Sequence, residues 1–237
     1  MKRTGRILAT TMFMAGLGAG ERVQAQYSDL RITEVMSSSG TGGTVDWFEV
    51  TNYGITTVLI TGWTMDDNSF NYANSVALNG ITSLLPGESV LFLESAGGAD
   101  LEAFRTFWGG VEMVQIGYYS GSGVGFSASG DGLVLFDSGG VEATPRVEFG
   151  AAATGSSFYY AYDANGHPAT SPNTDDILST VGLLDGQLTY VSSDTLGNIG
   201  SPGTATHAVP EPGTGALLGL GAAGLLRGLR RRTGTRP

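Results

Sequence analysis

The apolar residues of this chain come in short runs, rich in β-branched and aromatic side chains, and each run is soon closed by glycine, asparagine, aspartate or proline. Such runs suit strands joined by tight turns rather than amphipathic helices. In the first, Leu30, Ile32, Glu34 and Met36 are expected on one face, with Arg31, Thr33 and Val35 on the other. A second strand is expected over 47–52, ended by Asn52-Tyr53-Gly54. Val58-Leu59-Ile60 leads into a strand through Trp63, and Asp66-Asp67-Asn68 reads as a turn. Further strands are expected over 89–94, after the Leu85-Pro86-Gly87-Glu88 turn, and over 132–136, 147–149 and 188–191.

One segment has a different period. Leu101, Phe104 and Trp108 share a helical face, an acidic residue stands early, and Gly109-Gly110 ends the run. Asp100 is the N-cap candidate. One short helix among many strands predicts an all-β, two-sheet sandwich with a helical crossover.

The ends of the chain follow other rules. Met1-Lys2-Arg3-Thr4-Gly5-Arg6 is basic, residues 7–20 carry no charge, and Val23-Gln24-Ala25 offers a small-residue cleavage site. That order predicts a signal peptide over 1–25, cut after Ala25 by signal peptidase. At the other end, Val209-Pro210-Glu211-Pro212 precedes an uncharged Gly/Ala/Leu run over 213–226, followed by Arg227, Arg230, Arg231 and Arg232. The run is short for a stable span. It is expected to associate with a membrane transiently, with its arginines on the cytoplasmic side. Residues 204–209 read as a linker and 26–203 as the folded body.

The body is strongly acidic. Only Arg31, Arg105 and Arg146 lie between Gln26 and Val209, against 20 acidic residues, a net of −17. Nucleic acid is excluded as a partner, because phosphate binding needs clustered basic side chains. The same field could attract divalent cations. The chain has no cysteine, which removes thiol catalysis, disulfides and cysteine-based zinc sites. With only His167 and His207, paired-histidine chemistry is nearly excluded as well.

The body resembles a lamin-tail domain, an immunoglobulin-like sandwich. The resemblance is carried in order by residues 30–36, Asp46-Trp47-Phe48-Glu49-Val50-Thr51-Asn52, residues 60–67, the Pro86-Gly87-Glu88 turn and residues 130–137, with Ser156-Ser157-Phe158-Tyr159 and Gly200-Ser201-Pro202-Gly203 where the family often closes. The stretch 165–187 departs from the pattern. The resemblance implies a binding or adaptor role and no catalytic residues, cofactor or metal. The tail, 210–237, resembles a PEP-CTERM sorting signal, which implies recognition by an exosortase at Pro210, Glu211 and Pro212.

Individual residues carry alternatives. Glu49 either faces solvent or is buried and bonded to a neighbouring loop. Trp47 and Trp63 are either core anchors or a sugar platform. The loop Gly121-Ser122-Gly123-Val124-Gly125-Phe126 lacks the strand and helix that a phosphate cradle needs. Asp163-Ala164-Asn165-Gly166 lacks the closing glutamate of a calcium loop.

Three functions are therefore weighed. The first is an exported structural or interaction protein without enzyme activity, sorted to the cell envelope, outer surface or extracellular matrix of a Gram-negative bacterium through transient inner-membrane anchoring, with extracellular polysaccharide or envelope proteins as partners. The second is a calcium- or polysaccharide-binding module, suggested by Asp66-Asp67 and by the Tyr118-Tyr119 and Tyr159-Tyr160 pairs. The third is a hydrolase using paired carboxylates, to which no catalytic residue is assigned, since acidic pairs such as Asp66-Asp67 and Asp175-Asp176 are common by chance in so acidic a chain.

Overall fold

A computed structural model describes residues 29–39, 45–109, 114–160, 162, 177–179, 192–193 and 197–203. The signal segment, residues 163–176, the expected strand at 188–191 and everything after Gly203 lie outside the described residues. In chain order the strands are β1 (Leu30–Met36), β2 (Trp47–Asn52), β3 (Val58–Leu59), β4 (Thr64–Asp66), β5 (Val76–Ala77), β6 (Ser83–Leu84), β7 (Ser89–Glu94), β8 (Ile116–Tyr119), β9 (Asp131–Phe136), β10 (Val147–Phe149), β11 (Phe158–Tyr159), β12 (Ile177–Leu178), β13 (Ser192–Ser193) and β14 (Ile199–Gly200). Among the described residues one α-helix, α1 (Leu101–Trp108), lies between β7 and β8.

Two sheets make the sandwich. The larger has the order β12-β11-β1-β2-β7-β8 and the smaller β10-β9-β4-β5, while β3 and β6 pair with each other. Between the sheets lies one apolar core, with Leu30, Ile32, Val35, Phe48, Val50 and Phe92 from the larger sheet meeting Met65, Leu133, Leu135 and Val147 from the smaller. Phe149 stacks on Phe158 with ring centroids 5.4 Å apart, which ties β10 to β11. The architecture is the expected all-β, immunoglobulin-like sandwich with one short helix.

The expected alternation along β1 fails at one residue. The register with β2 steps from Ile32 opposite Val50 to Glu34 opposite Glu49, leaving Thr33 as the extra residue of a β-bulge. The inserted residue reverses the phase of the pleat. Val35 therefore joins Leu30 and Ile32 in the core. Met36 turns to the outer face, where it meets Trp47, Leu91 and Leu93.

The outer face of the larger sheet is covered too. Because β7 and β8 are parallel, the chain needs a crossover, and α1 supplies it. Phe104 and Trp108 of the helix meet Trp47 edge-on, with centroids 5.9 and 6.1 Å away. Asp100 takes the expected N-cap position, its carbonyl accepting the Phe104 N–H at 2.9 Å, but its carboxylate makes no cap bond. It accepts the Ser95 hydroxyl instead, at 2.7 Å, while its own N–H donates to Ser95 Oγ at 3.1 Å.

β8 carries a glycine at a crowded place. A Cβ at Gly117 would lie 2.4 Å from the Asn79 carbonyl and 2.6 Å from the Phe92 ring. We expect Gly117→Ala to destabilise the protein by about 1–3 kcal/mol, the usual cost of overpacking. Denaturant unfolding checks this, with an unchanged slope showing that the fold is retained.

Candidate functional site

The Asp46–Asn52 stretch is where the sequence concentrates polar residues in a buried strand, and the structure shows how they are used. Glu49 is 1% exposed. Its Oε1 accepts the Thr33 hydroxyl at 2.5 Å and its Oε2 accepts the Gly203 N–H at 2.6 Å. Of the two alternatives for Glu49, the buried one bonded to a loop is correct. Alternation puts Glu49 and Thr51 on the face opposite Val50 and Thr33 on the face opposite Ile32, and the bulge brings Glu34 onto that same face. Thr33 and Thr51 hydroxyls are 3.0 Å apart, and Thr51 reaches Ser89 Oγ at 2.7 Å.

Beside Glu49 stands a second buried carboxylate. Glu34, its cross-strand neighbour, is 2% exposed. It accepts the Ser157 hydroxyl at 2.5 Å and the Ser201 N–H at 2.9 Å on Oε1, and the Ser201 hydroxyl at 2.8 Å on Oε2. Ser157 Oγ also lies 2.8 Å from Ser179 Oγ. The segment 199–203 thus crosses the outer face of the larger sheet, and two carboxylates hold it there. Neither carboxylate reaches solvent, so this pair cannot meet a substrate.

Asn52 works in the same manner. Its Nδ2 donates to the carbonyls of Thr56, Leu84 and Leu85, and its Oδ1 accepts the Gly54 N–H. Glu88 accepts the Leu85 N–H at 2.6 Å and the Gln115 amide at 2.7 Å. The polar atoms of the motif are engaged in joining loops to strands.

The remaining candidates are dispersed. Trp47 and Trp63 are core side chains at 1% and 2% exposure, not an exposed platform. Each tyrosine pair is divided by the pleat: Tyr119 and Tyr160 are buried, while Tyr118 and Tyr159 are partly exposed. Asp66 is buried, and its Oδ2 accepts the Ser69 hydroxyl and the Asn71 N–H. Asp67 lies nearer solvent. Burial raises its pKa, the Ser69 N–H opposes that, and the charges of Asp131 and Asp66 add to the rise. The glycine-rich loop 121–125 wraps the Glu94 carboxylate, since a Cβ at Gly121 would stand 1.8 Å from Glu94 Oε1. Among the described residues, no three histidine, aspartate or glutamate side chains are gathered to hold a metal. Asp163, Asn165, Asp175, Asp176, Pro210, Glu211 and Pro212 lie outside the described residues. No described helix is long and apolar enough to cross a membrane.

The sequence reading missed Glu34 and its serine partners. A partial signal was available, since Glu34 is a carboxylate among the apolar residues of its strand, although Arg31 stands in the same strand. The serines carried none, because their partners lie 123 to 167 residues away along the chain.

The two packed sheets, with a helical crossover and a polar motif buried in the second strand, define an immunoglobulin-like β-sandwich. The lamin tail domain family model matches residues 23–150, and the chain belongs to that family. A model of the PEP-CTERM protein-sorting motif matches residues 208–232, a span that contains Pro210-Glu211-Pro212. That motif marks an exported bacterial protein that is processed by an exosortase and sorted to the surface. Both families are non-catalytic. Neither the curated proteins nor the solved structures contain a match to the chain.

Proposed function

We propose that this protein is a structural or interaction component of the cell envelope, outer surface or extracellular matrix of a Gram-negative bacterium, acting without catalysis. The observation that carries this reading is the use of the motif's polar atoms. Glu34, Glu49, Asn52 and Glu88 hold loops onto the sandwich, so the most distinctive residues of the body serve its architecture. The body would be 26–203, freed from residues 1–25 by signal peptidase and joined to its tail through 204–209. Residues 213–226 would hold it transiently at the inner membrane until the exosortase acts at Pro210-Glu211-Pro212. Its surface would then meet extracellular polysaccharide or other envelope proteins.

Replacing Pro210, Glu211 and Pro212 together by alanine tests the sorting step. In an exporting host with an active exosortase, we expect the variant to keep its tail and to stay in the membrane fraction while the wild type loses it. Identical processing of the two proteins would contradict the assignment of these residues.

A further inference from the structure

One row of polar side chains crosses the larger sheet at the end of the sandwich. Glu94 donates its N–H to the Asp46 carbonyl at 2.8 Å, one step beyond the pairing of Trp47 with Leu93. Glu94 is also the register partner of Tyr119. Ser37 follows Met36, which pairs with Trp47, so it stands next to Asp46. By alternation from Val35, Phe48 and Phe92, the side chains of Ser37, Asp46 and Glu94 fall on the core-facing side, where Tyr119 also lies. Two like charges directly opposite on adjacent strands repel each other.

Ser39 eases the charge on Asp46 through its N–H and its side chain, and no arginine figures among the groups acting on either carboxylate. Arg31 donates to the Leu30 carbonyl, Arg105 to the Val114 carbonyl, and Arg146 pairs with Glu142. Asp46 accepts the Ser39 N–H at 2.9 Å. The Glu94 carboxylate rests on the backbone of the glycine loop, and a Cβ at Gly125 would lie 3.6 Å from its Oε2. Burial raises the pKa of both acids, and the charge of Asp46 adds to the rise at Glu94.

The second observation is a pair of buried hydroxyls. Tyr119 Oη is fully buried without a hydrogen-bond partner, and so is Ser37 Oγ. The register sets Tyr119 beside Glu94 on the core side, and after burial the charges of Glu94, Asp46 and Asp131 push its pKa up. A row with two facing carboxylates, two oxygens lacking partners and a glycine-backed wall has the chemistry of a hard-cation site.

We propose that Asp46 and Glu94 together bind a calcium ion, with the Tyr119 and Ser37 hydroxyls beside it and water supplying the other oxygens. Two carboxylates make a sparse shell, which corresponds to the weak sites of extracellular modules, with Kd about 0.1–1 mM. The proposal depends on export only for the supply of calcium, and binding is read on purified protein whatever the fate of the tail.

The test is calorimetric titration of the purified full chain with calcium chloride, alongside thermal melts in calcium, in chelator, and in sodium chloride of matched ionic strength. We expect saturable one-site binding and a melt that rises with calcium but not with sodium. Glu94→Gln and Asp46→Asn, which keep shape and remove one charge, should each weaken binding at least tenfold. Both should melt above the wild type in chelator, where the repulsion is felt. Tyr119→Phe, which keeps the ring, should remain folded and bind more weakly. Absence of a calcium effect on the wild type at 10 mM, on the order of ten times the weakest Kd expected, would overturn the proposal. So would an equal effect in Glu94→Gln, which would place the ion elsewhere on an acidic surface.

Discussion

Glu49→Ala is expected to lower stability by about 4 kcal/mol, because it takes an acceptor from one buried and one part-buried donor, at roughly 1–3 kcal/mol each. Those donors are the Thr33 hydroxyl and the Gly203 N–H. For a body of this size the melting temperature should fall by roughly 8–16 °C, at 2–4 °C for each kcal/mol. The loss should also be local. With Oε2 gone, segment 199–203 loses its anchor at Gly203 and keeps those nearer its start, at Glu34, Gly155, Ser157 and β13. Hydrogen exchange at Gly203 should therefore accelerate more than exchange in the β4–β9 pair. Glu49→Gln should fall between the two, since an amide offers one acceptor oxygen where the carboxylate has two. An alanine variant as stable as the wild type would mean that the carboxylate does not hold the segment.

A chain ending at Gly150, where the lamin-tail match stops, is expected to lose cooperative folding altogether. Beyond that point Phe158 pairs opposite Val35 and stacks on Phe149, and Tyr160 is fully buried with its hydroxyl on the Glu148 carbonyl. The Tyr162 hydroxyl donates to the Ile32 carbonyl at 2.8 Å. Removing large buried aromatics costs about 3–5 kcal/mol apiece, and the whole stability of a domain is only about 5–15 kcal/mol. Glu34 would lose Ser157 and Ser201 as well, leaving a carboxylate stripped of those donors on the sheet. A chain of residues 26–203 should instead unfold in one sharp transition. Circular dichroism and calorimetric melts of the two chains compare them directly. Cooperative unfolding of the shorter chain would show that the C-terminal segment decorates the sandwich rather than completes it.

Much of the sandwich was legible because its apolar runs are short and each is closed by turn residues. The runs at 47–52, 89–94 and 147–149 stand where they are expected, and the one expected over 132–136 begins one residue earlier, at Asp131. The helix was legible from Leu101, Phe104 and Trp108 alone, and its role as a crossover followed from its position. The bulge at Thr33 was not, because an inserted residue leaves no trace in composition and reverses the facing of everything after it. β8 was obscured by Gly117, a residue that weakens any strand reading yet is demanded by the Phe92 ring. β11 and β12 are two residues each, too short for a period. The buried polar network was out of reach for a different reason: its bonds join residues up to 167 apart, and only the folded register brings them together. The acidic row was likewise hidden, since Asp46 and Glu94 become neighbours only when β2 pairs with β7.

The central claim is that a folded body is exported and then parted from its tail. The most direct test is to recover the protein from fractions of a host that carries an exosortase and to measure its intact mass. The account predicts a species outside the cytoplasm that begins after Ala25 and has lost the apolar run and the arginines that follow Pro212. A full-length species in the cytoplasmic fraction, from Met1 to Pro237, would contradict it.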